Sequence, residues 1–157
     1  MRYILPPLLW HNVLMGPVTA RKLNAYFEDW LGTPADSEQH IVRLVESGLP
    51  TKVVNRLVQR GLTRDEVFRL IVNPRTLKHR RSKNQNLSKE ESERAVRAVR
   101  TLALAQSVMG AQEKALGWLR SPKRRFEGRT PMDMLSTEAG GRLVEQMLIQ
   151  IDEGMFA

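Results

Sequence analysis

The sequence of 157 residues contains no cysteine and only three histidines. Without a thiol the chain can form no disulfide, no thiolate zinc site and no cysteine nucleophile. The histidines are far apart and show no metal-ligand spacing such as HExxH; they are His11, His40 and His79. Paired carboxylates such as Glu90-Glu91 and Asp152-Glu153 stand at predicted helix ends, and at a helix start, as for Glu90-Glu91, the helix dipole and capping explain such a pair. We therefore expect no catalytic residue, no metal and no other cofactor, and interpret the protein as a binding protein and not an enzyme.

Long hydrophobic runs are missing as well. No apolar run approaches the ~18 residues that a membrane-spanning helix needs. The apolar stretch at residues 4–10 contains Pro6-Pro7, which would break the core helix of a signal peptide. A membrane-surface protein would need basic residues beside an apolar helix face, but the most amphipathic helix predicted here is acidic. We expect a cytoplasmic protein with no membrane partner.

Charge is divided unevenly along the chain. Lysine and arginine number 25 against 17 acids, which gives a formal charge of +8 and an isoelectric point near 10.4. Residues 1–129 carry 24 basic and 12 acidic side chains, whereas residues 130–157 carry five acids and one base, Arg142. A basic body and an acidic end predict two different partners, the first of them a polyanion. The alternative is that the excess of basic over acidic residues only keeps the protein soluble.

Aromatic residues make up only 6% of the chain, and no stretch alternates with period two for long enough to predict a strand. Apolar residues instead recur at helical spacing. Thr63–Glu66 and Ser88–Glu91 have the form of capping boxes. Pro74 and Pro131 suit first helix positions, and Thr51 is a further predicted cap. The fold class is all-α, with eight or so short helices.

Residues 1–37 form an N-terminal extension whose role the sequence leaves open. Inside it, apolar and aromatic side chains recur at helical spacing at Leu23, Tyr26, Phe27 and Trp30. Stripes of this kind are usually packing surfaces. We predict a short helix here that covers a core or a dimer seam.

The outline of a helix-turn-helix lies between Thr63 and Ser82, where a capped helix, a tight turn and a second short helix follow one another. Residues 75–83 hold five Lys/Arg and no acid, and Leu77 is the one clear inward anchor. In such motifs the start of the second helix contacts base edges and flanking positions contact phosphate. Base-edge roles are assigned to Arg75, Thr76 and His79. Phosphate roles are assigned to Lys78, Arg80, Arg81 and Lys83.

A single helix-turn-helix covers a small footprint, so DNA binding predicts a homodimer on half-sites about one helical turn apart. A solvated basic helix remains an alternative. RNA binding is a weaker one, because no stacking aromatics stand beside the basic stretch.

A second basic cluster lies in a predicted loop and comprises Arg120, Lys123, Arg124, Arg125 and Arg129. It could bind phosphate or an acidic partner. A solvated loop tip explains it equally well.

The C-terminal third carries a longer pattern, formed by Ala115, Trp118-Leu119, Pro122, Phe126, Gly128, Thr130-Pro131, Leu135, Thr137-Glu138, Gly140 and a helix that ends at Gly154. This pattern resembles the toxin-binding domain of the Xre/MbcA/ParS antitoxin family. That family also places an Xre-like helix-turn-helix ahead of the domain, where Arg75-Thr76-Leu77 and Arg80-Arg81 occur here. The resemblance covers residues 38–157 and leaves residues 1–37 unexplained.

The resemblance implies a type II antitoxin, with residues 38–87 as the helix-turn-helix region and residues 88–157 as the toxin-binding domain. Its partner would be a RES-domain or ParT/MbcT-like toxin that acts through NAD, by degrading it or by ADP-ribosyl transfer. The antitoxin would cover the toxin's active site and repress its own operon at operator DNA. The toxin-binding residues would be Glu153, Gly154, Met155, Phe156 and Ala157, a tail that either plugs the toxin's pocket or is a disordered chain end. A stand-alone helix-turn-helix regulator without a toxin is the alternative.

Overall fold

The computed structural model describes residues 17–155, and the side chains of residues 22–155. This part of the chain contains nine α-helices, a 3-10 turn at Arg124–Phe126 and no strand. The helices are α1 (Pro17–Leu31), α2 (Glu38–Ser47), α3 (Lys52–Gln59), α4 (Arg64–Leu70), α5 (Pro74–Ser82), α6 (Lys89–Met109), α7 (Gln112–Leu119), α8 (Pro131–Met134) and α9 (Glu138–Asp152). The all-α prediction is confirmed.

Helix α6, with 21 residues, is the centre of the fold. It packs against α1, α2, α7 and α9 and also contacts α4. Its residues Val96, Val99 and Leu102 are buried, and several alanines of α6 are buried beside them. Burial of each such valine or leucine contributes roughly 1.5–3 kcal/mol. The helix-turn-helix and the C-terminal helices therefore share one hydrophobic core.

Helix α1 belongs to this same core. Its three largest inward side chains are fully buried; they are Leu23, Phe27 and Trp30. The indole N–H of Trp30 donates a hydrogen bond of 2.9 Å to the side-chain oxygen of Gln106 on α6. The packing helix predicted for this segment is confirmed, and it covers the core of its own chain.

Local capping starts several helices as predicted. In the boxes at Thr63 and Ser88, each hydroxyl accepts the N–H of a glutamate three residues on, and that glutamate accepts the N–H of the cap. Pro74 occupies the start of α5, and Thr130 with Asp133 forms a third box at α8. These contacts are local in sequence, which explains why they could be predicted.

The predicted cap at Thr51 is wrong. Thr51 is itself helical, with φ −59° and ψ −19°, and its side chain makes no capping hydrogen bond. The carbonyl of Pro50 already accepts the N–H of Val53 at 3.0 Å. The turn that leads into α3 therefore begins one residue earlier, and the hydroxyl of Thr51 is not placed to cap it.

Candidate nucleic-acid interface and partner surface

Helices α4 and α5 form a helix-turn-helix that is held in place by buried side chains. Residues 70–72, which end α4 and begin the turn, are buried, and Leu77 is the buried residue of α5. The side chain of Asn73 accepts the N–H of Thr76 at 2.8 Å and caps α5. Because one apolar side chain and one cap hold α5 down, most of its basic residues are left facing outward.

Most of the side chains assigned to DNA are accessible in this arrangement. The exposed ones are Arg75, Lys78, His79, Arg81 and Lys83, while Thr76 is half-buried. Positions 75, 78 and 79 follow helical spacing and lie along one side of α5. Arg81 also donates a hydrogen bond of 2.9 Å to the side chain of Asn55 on α3, at the surface. The structure thus brings these residues together on one basic helix.

Arg80 is placed differently from the other cations of α5. Its Nε and a terminal nitrogen donate to the two carboxylate oxygens of Glu91, at 2.7 and 3.1 Å. Glu91 is buried, and the N–H of Ser88 also donates to it. Arg80 therefore joins the end of α5 to the start of α6. Sequence reasoning missed this pair, and the signal it could have used is Glu91 in a capping box just after the basic run.

The second basic cluster is partly used inside the protein. Arg120 forms a two-pronged ion pair with Glu66, at 2.8 and 2.9 Å. The ammonium of Lys123 lies 4.9 Å from the ring centre of Trp118, and burial lowers the pKa of Lys123. Arg125 donates to the side chain of Gln150 on α9. The cluster therefore ties the 120–129 loop to α4, α7 and α9, with Arg124 and Arg129 exposed at its surface.

Helix α9 approaches α8 so closely that one position must be glycine. A Cβ on Gly140 would lie 2.1 Å from the main-chain oxygen of Met134. Gly128 has φ +81°, in the left-handed region that favours glycine. Both glycines thus meet requirements of the backbone.

The outer flank of α9 includes an exposed apolar side chain. Val144 and Leu148 are buried, whereas Leu143 is 42% exposed. Leu143 and Met147 lie one turn apart on this flank, and Met155, just beyond the helix, is 64% exposed. Glu153 and Gly154 are exposed, whereas Phe156 and Ala157 lie outside the described residues. Exposed apolar side chains therefore occur both on α9, at Leu143, and in the described part of the predicted toxin-binding tail, at Met155.

The opposite flank of α9 borders a groove of about 630 Å³ between α2, α6 and α9. Glu145 lines it and accepts a hydrogen bond of 3.3 Å from the hydroxyl of Thr101. Burial raises the pKa of Glu145 above its ordinary value. Val42, on α2, is 51% exposed at the rim of the groove.

In residues 17–155 no helix combines the length and the apolar character needed to cross a membrane. The same part of the chain has no group of three or more His, Asp or Glu side chains arranged to hold a metal ion.

Comparison with known proteins agrees with this geometry. The antitoxin Xre-like helix-turn-helix domain matches residues 40–100, and the antitoxin Xre/MbcA/ParS C-terminal toxin-binding domain matches residues 104–154. The chain belongs to the Xre/MbcA/ParS antitoxin family. The resemblance read from the sequence is confirmed, and α4 and α5 fall inside the matched DNA-binding domain. Helix α6 spans the boundary between the two matched domains, and the division at residues 37 and 87 stays a prediction.

Several curated relatives are antitoxins. Antitoxin Xre of Pseudomonas putida is 42% identical over 114 residues, which are 73% of this chain and 64% of the relative. The match therefore spans just under two thirds of that protein's length. Antitoxin Xre of Yersinia enterocolitica is 28% identical over 144 residues, 90% of this chain and 97% of the relative. A protein of a Sphingobium species named Prs ADP-ribosylating antitoxin is 31% identical over 91 residues, 52% of this chain and 57% of the relative.

Proposed function

We propose that this protein is a type II antitoxin that binds and neutralises an NAD-targeting toxin and represses its own operon. The observation that carries the proposal is one basic helix, α5, held with most of its cations outward in a chain whose residues 104–154 match a toxin-binding domain. In this proposal the protein acts by binding, without catalysis of its own.

On the DNA side, Arg75, Thr76 and His79 read base edges from the first half of α5. Phosphate is neutralised by the exposed cations Lys78, Arg81 and Lys83. Arg80 contributes less to phosphate binding, because its charge is already paired with Glu91. Two copies of the chain bind two half-sites as a homodimer.

On the toxin side, the tail formed by residues 153–157 covers the toxin's active site. Leu143 on α9, which is exposed, and Met147, which is half-buried one turn further on, supply additional apolar contacts. A RES-domain or ParT/MbcT-like toxin fits this role. The name of the Sphingobium relative, which mentions ADP-ribosylation, supports a toxin chemistry that uses NAD.

The test is co-expression with the neighbouring open reading frame, followed by affinity co-purification and measurement of cellular NAD. We expect a stable complex, with NAD depleted only when this protein is absent. Deleting residues 154–157 should leave DNA binding intact and impair neutralisation. Absence of both complex and toxicity would contradict the antitoxin proposal and favour a stand-alone helix-turn-helix regulator.

A further inference from the structure

The first helix of the helix-turn-helix is held at its N-terminal end by a residue of the toxin-binding domain. Arg120, which follows α7, donates from Nε and a terminal nitrogen to the two oxygens of Glu66, at 2.8 and 2.9 Å. The same terminal nitrogen donates to the carbonyl of Gly61 at 2.8 Å. Two parallel hydrogen bonds between a guanidinium and a carboxylate set orientation as well as distance. Arg120 therefore fixes both the start of α4 and the loop that leads into it.

The C-terminal half of α4 is held by a second residue of that domain. A terminal nitrogen of Arg69 lies 2.7 Å from Oδ1 of Asp133 on α8. The other carboxylate oxygen of Asp133 accepts the hydroxyl of Thr130 at 2.7 Å, so the orientation of Asp133 is itself set by its capping box. Helix α4 is thus bound at two residues, Glu66 and Arg69, by one neighbouring domain.

These contacts matter because α4 is too short to be a stable helix by itself. It has seven residues, and helices this short are not stable by local hydrogen bonding. Burial opposes ionisation of Glu66, but the hydrogen bonds from Arg120 and Thr63 outweigh it and hold the pKa of Glu66 below its ordinary value. The charged pair is therefore the stable form at neutral pH.

The position of α4 is passed on to α5 by the turn between them. Ile71 and Val72 in that turn are buried, and the carbonyl of Ile71 accepts a hydrogen bond of 2.8 Å from Nε of Arg94 on α6. With only residues 71–73 between the two helices, a rotation of α4 must move the start of α5. That start is where base-edge contacts are made.

We propose that Arg120 and Asp133, in the toxin-binding domain, are positioning residues for DNA recognition: they orient α4 and α5 without touching DNA. This inference rests on the proposed binding of operator DNA by α5. It makes the specificity of the DNA-binding domain depend on side chains outside that domain.

The test compares Arg120→Ala with Arg142→Ala in the full-length protein. Arg142 is the matched control, because it also pairs with a glutamate of the same domain, at 2.6 Å from Glu138, but on the surface and within one helix. The probes are a labelled duplex from the region upstream of the protein's own gene and a scrambled duplex of equal composition. Affinities for both are measured over a range of salt concentrations.

We expect Arg120→Ala to lower the ratio of specific to scrambled affinity by about tenfold, while the slope of log affinity against log salt stays unchanged, since no phosphate contact is lost. Arg142→Ala should change neither quantity. A decrease in the folded fraction would lower both affinities equally, so the ratio separates positioning from simple unfolding.

Two companion variants sharpen the result. Glu66→Gln keeps the capping box, in which glutamine can also serve, but removes the charge that Arg120 holds. It should reproduce the effect of Arg120→Ala, and the double variant should add little to either single one. Asp133→Asn should lower the ratio in the same direction.

Either of two outcomes overturns the inference: an unchanged specificity ratio in Arg120→Ala, or a salt slope that decreases, which would make Arg120 a phosphate contact. If the wild-type protein does not distinguish its upstream DNA from the scrambled duplex, the proposed operator binding fails and the inference fails with it.

Discussion

Replacing Arg80 by alanine tests whether this residue positions α5 or contacts phosphate. The side chains of Arg80 and Glu91 are 22% and 7% exposed, and two hydrogen bonds join them. The substitution leaves the Glu91 carboxylate buried, with the N–H of Ser88 as its remaining donor. Removing one partner of a fully buried pair costs about 3–5 kcal/mol. Because Arg80 is partly exposed and Ser88 still donates, we expect a loss of about 2 kcal/mol.

The loss is measured by urea and thermal unfolding followed by circular dichroism, with Arg81→Ala as the control. Arg81 is exposed and its hydrogen bond to Asn55 lies at the surface, so its removal should cost no more than about 0.5 kcal/mol. For a chain of this size, a loss of about 2 kcal/mol lowers the Tm by roughly 4–8 °C.

The salt dependence of DNA binding supplies the second measurement. Arg81→Ala should reduce the slope of log affinity against log salt by about 0.9, the value for one lost phosphate contact. Arg80→Ala should leave the slope close to that of the wild type. If Arg80→Ala is as stable as Arg81→Ala and reduces the slope equally, Arg80 contacts DNA and the reasoning from the Glu91 pair is refuted.

Three further predictions follow from the C-terminal half. Gly140→Ala should destabilise the protein by more than about 2 kcal/mol because its Cβ would meet a main-chain oxygen, whereas Gly117→Ala, with open space around it, should be neutral or stabilising; unfolding in urea separates them. Leu143→Glu should abolish co-purification of the toxin and Val42→Glu, on α2, should not; equal losses would count against the α9 flank. Glu145 has a raised pKa, so its ionisation destabilises the fold as pH rises above the ordinary glutamate value. Glu145→Gln should therefore be more stable than wild type at pH 7, with a difference that disappears on acidification; a constant difference would contradict this.

Features that depend on residues close together in the chain could be predicted from the sequence. The capping boxes at Thr63 and Ser88 join residues three apart. Pro74 suits a helix start because its ring fixes φ near the helical value and its missing N–H is not needed there. The helix-turn-helix follows from the same local signals, since a capped helix, a short turn and a basic helix succeed one another. The family pattern in the last third could be recognised from the sequence as well, because its prolines, glycines and helix caps follow one another in a fixed order.

Features that depend on distant partners could not be predicted. Nothing near Arg80 in the basic run distinguishes it from Arg81, yet one pairs with a buried glutamate and the other faces outward. The partner of Arg120 is 54 residues away, and only folding makes them neighbours.

The sequence by itself determined the helical fold class, the start of most helices, the basic second helix of the DNA-binding motif and the family. Those properties follow from local hydrogen bonding, hydrophobic periodicity and residue order. The tertiary structure alone decided which cations remain free for DNA, that α1 completes the common core and that Leu143 faces outward. Burial and ion pairing depend on what surrounds a side chain in three dimensions, and that environment is assembled from segments far apart in the chain.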